Sequence, residues 1–126
     1  MANDLILVIE DNEQNRKLVR DVLTFKGYEI IEAETGEEGL RLARTRSPRL
    51  VLMDIRLPGI DGIEALGQLR AEPATRDIPV MAMTASVMTQ DRRKIMEAGF
   101  DAFQGKPIKV KEFVAAVERL LDDHVK

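Results

Sequence analysis

LILVIEDN, residues 5–12, is the stretch from which the fold can be read. Leu5 to Ile9 form an unbroken apolar run bounded by polar residues, the signature of a strand buried on both faces. Glu10, Asp11 and Asn12 follow at once. From Asn15 to Lys26 the apolar residues Leu18, Val19, Val22, Leu23 and Phe25 form a helical stripe. Gly27 is the expected stop. A buried strand, a polar edge and a helix thus form one unit.

Reading outward, the unit repeats. YEIIEA (28–33) is a second strand, and Thr35 with Glu38 three residues later opens a helix with a capping-box pattern. That helix carries Leu40, Leu42 and Ala43 and ends before Pro48. LVLM (50–53) is a third strand. Pro58, Gly59, Asp61 and Gly62 make a loop before a short helix marked by Ile63, Leu66 and Leu69. Pro79 to Met83 is the fourth strand, Val87 to Ala98 the fourth helix, and Ala102 to Gln104 a short fifth strand. In the last helix Val110, Phe113, Val114, Val117, Leu120 and Leu121 share a face. Five alternations predict an α/β fold, a doubly wound parallel sheet with helices on both sides.

Composition narrows the chemistry. A chain of 126 residues fits one domain, taken here as 1–126 with no output domain. With no cysteine, disulfides, thiolate catalysis and cysteine-ligated metal are excluded. The one histidine, His124, is expected in an exposed tail. A net charge of -3 and a pI of about 5.3 argue against binding nucleic acid. The Leu5–Ile9 run is too short to span a bilayer, and no signal peptide is visible. A cytoplasmic location is expected.

A doubly wound sheet binds ligands at the carboxyl ends of its strands. The polar residues lie there: Glu10, Asp11 and Asn12 after strand one, Asp54 after strand three, Thr84, Ala85 and Ser86 after strand four, Lys106 and Pro107 after strand five. With strands one and three adjacent, Glu10, Asp11 and Asp54 crowd together, and like charges so placed disfavour joint ionisation. A divalent cation removes the conflict, and oxygen-only ligands suggest Mg²⁺. Lys106 adds a second positive charge on the same edge.

These motifs together resemble the response-regulator receiver domain, the CheY-like module of two-component signalling. The acidic pair, M-D-I-R-L-P-G-I-D-G around Asp54, T-A at Thr84–Ala85 and K-P at Lys106–Pro107 occur in order over essentially the whole chain. EDNEQNRKL (10–18) is also similar to single-domain receivers of the DivK type and to receivers of hybrid kinases. The resemblance implies a flavodoxin-like sheet of order 2-1-3-4-5 with five helices. It implies that Asp54 accepts a phosphoryl group from a phosphohistidine, with a histidine kinase or histidine phosphotransfer protein as donor. Asp11 and Asp54 would bind Mg²⁺ directly, Glu10 through a water, and Arg56 through its backbone carbonyl. Lys106, the Thr84 hydroxyl and the Ala85 N–H would hold the phosphoryl oxygens. A cis Lys106–Pro107 bond would aim the lysine into the site. Phe103 occupies the switch aromatic position, coupled to Thr84, and a downstream effector protein would read the face of helix four, strand five and helix five. Arg56 and Ser86 sit where phosphate lifetime is tuned. Self-phosphorylation and autodephosphorylation are expected rather than turnover of a separate substrate, in a monomer or a weak phosphorylation-dependent dimer.

Two other classes compete. A phosphatase of the haloacid-dehalogenase kind shares the strand-end Asp and Mg²⁺ but needs a second Asp two positions on, where this chain has Arg56. A pseudo-receiver would serve as a constitutive interaction module, but such proteins lose the Asp, the lysine or the acidic pair. The run Asp91 to Lys94 is expected to be the solvated face of helix four.

Overall fold

A computed structural model of the chain describes residues 4–85 and 89–123. Ser86 and His124 lie outside the described residues, as does the side chain of Asp91. Five strands alternate with five helices: β1 Leu5–Ile9, α1 Glu13–Phe25, β2 Glu29–Ala33, α2 Gly36–Arg46, β3 Leu50–Asp54, α3 Gly62–Ala71, β4 Val80–Thr84, α4 Thr89–Glu97, β5 Ala102–Gly105 and α5 Val110–Asp123. All the strand pairs are parallel, in the order β2-β1-β3-β4-β5. The expected doubly wound order 2-1-3-4-5 is the observed one.

Side chains alternate across the sheet, and each face has its own apolar cluster. Leu7, Ile9, Val51, Met53, Val80 and Ala82 pack beneath α2, α3 and α4 with Leu40, Leu66, Leu69 and Ile95. Ile6, Val8, Leu50, Leu52, Met81 and Met83 pack beneath α1 and α5 with Val19, Leu23, Phe113 and Val117. β1 is apolar throughout, and β3 and β4 are apolar up to their last residues, because both faces are covered there; the edge strand β2 carries Glu29 and Glu32.

Short polar caps set where three helices begin. The Asn12 side chain accepts the Asn15 N–H at 2.9 Å, Thr35 that of Glu38 at 3.1 Å, and Asp61 that of Glu64 at 2.8 Å. Each satisfies an N–H left open in the first helical turn. Each cap follows a strand end, so these helices start at the carboxyl edge of the sheet. At the other end of α2, Ser47 takes the left-handed conformation (φ 49°) that turns the chain into Pro48.

The helical stripes need correction at three positions. Phe25 is 87% exposed, and Leu18 and Val110 are also exposed. In α1 the sheet receives Val19 and Leu23, one helical repeat of four. Leu18 is about 100° around the helix from Val19, enough to carry it off the buried face. The fourth strand also runs one residue further than expected and takes in Thr84. Among the described residues no helix is long and apolar enough to cross a membrane.

Candidate phosphoryl-acceptor site

The site follows from strand alternation carried to the carboxyl edge. On β1 and β3 the even-numbered residues Ile6, Val8, Leu50 and Leu52 face α1 and α5. Glu10 and Asp54 continue that series, and Ile9 is in register with Met53. The backbone continues the ladders past the last strand residues: the Glu10 N–H donates to the Ala33 carbonyl at 3.0 Å and the Lys106 N–H to the Thr84 carbonyl at 2.8 Å. Glu10, Asp54 and Lys106 are thereby brought together from strands that are far apart in sequence.

Lys106 bridges the two acids. Its Nζ donates to Glu10 Oε1 at 2.6 Å and to Asp54 Oδ2 at 2.9 Å. The side chains of Glu10 and Asp54 are only 4% and 9% exposed, and that of Lys106 15%. The remaining carboxylate oxygens are also engaged. The Asn12 N–H donates to Glu10 Oε2 at 3.1 Å, and the Arg56 N–H to Asp54 Oδ1 at 3.2 Å. The Lys106–Pro107 peptide is cis.

Burial pushes the Glu10 carboxyl above its ordinary value. The Lys106 hydrogen bond pulls it back, and the neighbouring Asp54 carboxyl raises it again. For Lys106 burial is the largest single influence and works downward. Its hydrogen bonds and Coulomb attraction to Glu10 and Asp54 outweigh it, leaving the ammonium raised above the ordinary lysine value.

Exposed Asp11 completes an acidic group: one carboxylate oxygen from each of Glu10, Asp11 and Asp54 lies within 4.8 Å of the others. Three hard oxygen donors at this spacing suit Mg²⁺. Arg56 is exposed on the loop leaving Asp54. Thr84 is buried, with odd-numbered neighbours Met81 and Met83 on the opposite face. It lines a cavity of about 410 Å³ with Ile55, Ile63, Lys94 and Ile95. Ala85, next in the chain, is exposed. Phe103 is half-buried on β5, opposite Ala82, and packs against the α2–α4 cluster. Thr84 and Phe103 therefore share one side of the sheet, and Glu10, Asp54 and Lys106 the other.

Some supporting residues carried no sequence signal. Arg16 donates through Nη1 to the Glu10 carbonyl at 2.9 Å and through Nε to Glu32 Oε1 at 3.0 Å. It ties the acidic turn to β2, a pairing that only the sheet order reveals. Gly62 belongs to the motif around Asp54, and its role is steric. A Cβ there would stand 2.5 Å from the Asp54 carbonyl oxygen and 2.9 Å from Ile55 Cα. The start of α3 is seated directly on the backbone of Asp54. Glu37, at the start of α2, accepts the Ile60 N–H at 3.4 Å and flanks Gly59, whose φ is +77°.

An acidic pocket bridged by a lysine, at the carboxyl edge of a 2-1-3-4-5 sheet, defines a flavodoxin-like signalling receiver. Known proteins narrow the class: residues 6–118 match the response regulator receiver domain, and the chain belongs to that family. It is 42% identical over 118 residues to the polar-differentiation response regulator DivK of Brucella ovis, spanning 94% of this chain and 96% of that protein. The receiver domain of a sensor histidine kinase from Pseudomonas aeruginosa PAO1 superposes with a TM-score of 0.89 at 31% identity, covering 96% of this chain and 99% of the other. That structure is described with a magnesium ion coordinated in its active-site cleft. The signal receiver domain of a histidine kinase from Syntrophus aciditrophicus gives 0.89 at 29% identity, covering 96% and 92%. Receivers of this family are phosphoryl-accepting signalling modules rather than enzymes that turn over a separate substrate.

Proposed function

We propose that this chain is a phosphoryl-accepting switch, with Asp54 the acceptor and a phosphohistidine on a histidine kinase or phosphotransfer protein the donor. The observation that carries the reading is the bridge of Lys106 across buried Glu10 and Asp54. An Asp54 oxygen attacks phosphorus, a P–O bond forms, the P–N bond breaks, and its electron pair stays on the imidazole. Phosphoryl transfer requires in-line positioning and neutralisation of the equatorial oxygens. Asp11 and Asp54 would hold Mg²⁺ directly, with Glu10 acting through a water and Arg56 through its carbonyl. Mg²⁺ supplies charge neutralisation at the phosphoryl oxygens. Lys106 exchanges a carboxylate oxygen for a phosphoryl oxygen, and the Thr84 hydroxyl and Ala85 N–H donate to the others.

Once Asp54 is modified, Thr84 is drawn toward the phosphoryl group and Phe103, on the same side of the sheet, moves into the space released. The face made by α4, β5 and α5 changes, and an effector protein reads it. The chain acts through such contacts in its cytoplasmic setting, as a monomer or a weak phosphorylation-dependent dimer.

Intact-protein mass after incubation with acetyl phosphate tests the reading. One Mg²⁺-dependent phosphoryl adduct is expected in the wild type and none in Asp54→Asn. The same adduct in Asp54→Asn would remove Asp54 as acceptor. No adduct, combined with no binding of Mg²⁺ and beryllofluoride, would identify a pseudo-receiver.

A further inference from the structure

Phe103 has a partner that the switch described above does not use. The guanidinium carbon of Arg92 stands 5.2 Å from the centre of its ring. That is within the range at which a cation is attracted to an aromatic face. Arg92 lies on exposed α4 and, among the described residues, has no carboxylate paired with it. Ile95, three residues on and on the same side of α4, belongs to the apolar cluster against which Phe103 packs.

We infer that Arg92 is a positioning residue for the switch ring. It holds Phe103 in the resting arrangement and opposes the inward movement that follows phosphorylation. The inference rests on the phosphoryl-switch reading. Phe103 is opposite Ala82, and Thr84 lies one pleat further toward the carboxyl edge on the same side of the sheet. On this inference the movement of the ring toward Thr84 carries it off the guanidinium. An attraction made in one state and lost in the other shifts the equilibrium by its whole strength. At an exposed site that strength corresponds to a factor of about two to five in the equilibrium constant. The planar, weakly hydrated guanidinium suits such stacking better than an ammonium does.

The test is the affinity for beryllofluoride in saturating Mg²⁺, measured for the wild type, Arg92→Ala, Arg92→Lys, Phe103→Leu and the double variant Arg92→Ala/Phe103→Leu. Arg92→Ala should bind about two- to five-fold more tightly than the wild type, with Arg92→Lys between them. In the Phe103→Leu background, removing Arg92 should change nothing. A wild type that binds no beryllofluoride overturns the phosphoryl-switch reading and this inference with it. A wild type that binds, with Arg92→Ala no tighter or tighter by the same factor without the ring, overturns this inference alone. Phe103→Trp gives an independent readout, since the chain has no other tryptophan. Its resting emission should respond to Arg92→Ala and its beryllofluoride-saturated emission should not. Unchanged resting emission would also overturn the inference.

Discussion

Replacing Lys106 by Met tests the electrostatics of the pocket directly. The substitution keeps a long unbranched side chain and deletes the charge that bridges Glu10 and Asp54 at 2.6 and 2.9 Å. At an effective dielectric constant of about 20 each contact has a gross Coulomb attraction of ~6 kcal/mol. Desolvation of three nearly buried charges offsets most of that sum. Removing one member of such a cluster costs about 3–5 kcal/mol, because the remaining charges stay buried without a partner. Lys106 retains 15% exposure, so solvent screens part of the interaction and the lower end applies. A loss of about 3 kcal/mol is expected in metal-free buffer. For a chain of this length it lowers Tm by roughly 10 °C. The assay is urea denaturation followed by circular dichroism, with and without Mg²⁺. The second half of the prediction is opposite in sign. In the wild type Mg²⁺ would compete with the ammonium for the same carboxylates. In Lys106→Met that competitor is gone, so the variant should bind Mg²⁺ more tightly and regain more stability from it. A variant as stable as the wild type without metal, or one that binds Mg²⁺ more weakly, would refute the bridging role.

Two further outcomes follow from the same geometry. Gly62→Ala places a methyl group against the backbone of Asp54 and Ile55, neither of which is a side chain that can swing aside. It should cost about 2 kcal/mol in urea denaturation and slow acetyl-phosphate labelling of Asp54. The pH dependence has two limbs with determined signs. Glu10, raised above 4.5, contributes stability that is full below 4.5 and lost as pH rises through its folded value. Mg²⁺ should therefore raise Tm more near neutrality than near pH 4.5, where protons compete for Glu10. Lys106, raised above 10.5, contributes stability that is full below 10.5 and lost as pH climbs through its folded value. A pH series of thermal melts should show that alkaline loss in the wild type and not in Lys106→Met.

The legible part of this molecule is what strand burial and strand ends encode. Leu5–Ile9, Leu50–Met53 and Val80–Met83 are apolar on both faces, which required a covered parallel sheet, and the polar residues after them had to meet at one edge. Thr35 with Glu38 marked the start of α2, whereas α1 begins at Glu13, two residues before the expected Asn15, because the apolar stripe does not reach the polar residues of its first turn. The apolar stripes were less informative. Phe25 and Leu18 fit helical spacing, yet periodicity does not tell a side chain at the margin of a stripe from one at its centre. The contacts around the site were hidden for a different reason. Arg16 with Glu32, Glu37 with Ile60 and Arg92 with Phe103 join elements whose separation only the tertiary fold determines. The acidic cluster could be expected from sheet order, whereas the ammonium resting between its members depends on the reach of one side chain.

In the proposed mechanism the pleat also separates chemistry from readout. Glu10, Asp54 and Lys106 fall on the α1–α5 side of the edge, where Asp54 can be charged and neutralised. Thr84 and Phe103 fall on the α2–α4 side, where a cavity and the partly exposed wall of α4 leave room to move. The two sides are joined by backbone, through the Lys106 N–H on the Thr84 carbonyl and the Ile55 N–H on the Met83 carbonyl. A phosphoryl group on Asp54 is held, in the proposed mechanism, by Lys106 from one side and Thr84 from the other. Its charge then acts on residues of opposite parity at once. Moving Thr84 toward the edge repacks its own side of the sheet and leaves the α1–α5 core beneath Asp54 intact. Deletions in that core, such as Phe113→Ala, should therefore cost stability without changing the relative affinity of resting and beryllofluoride-bound states for an effector, whereas substitutions at Thr84 and Phe103 should change that ratio.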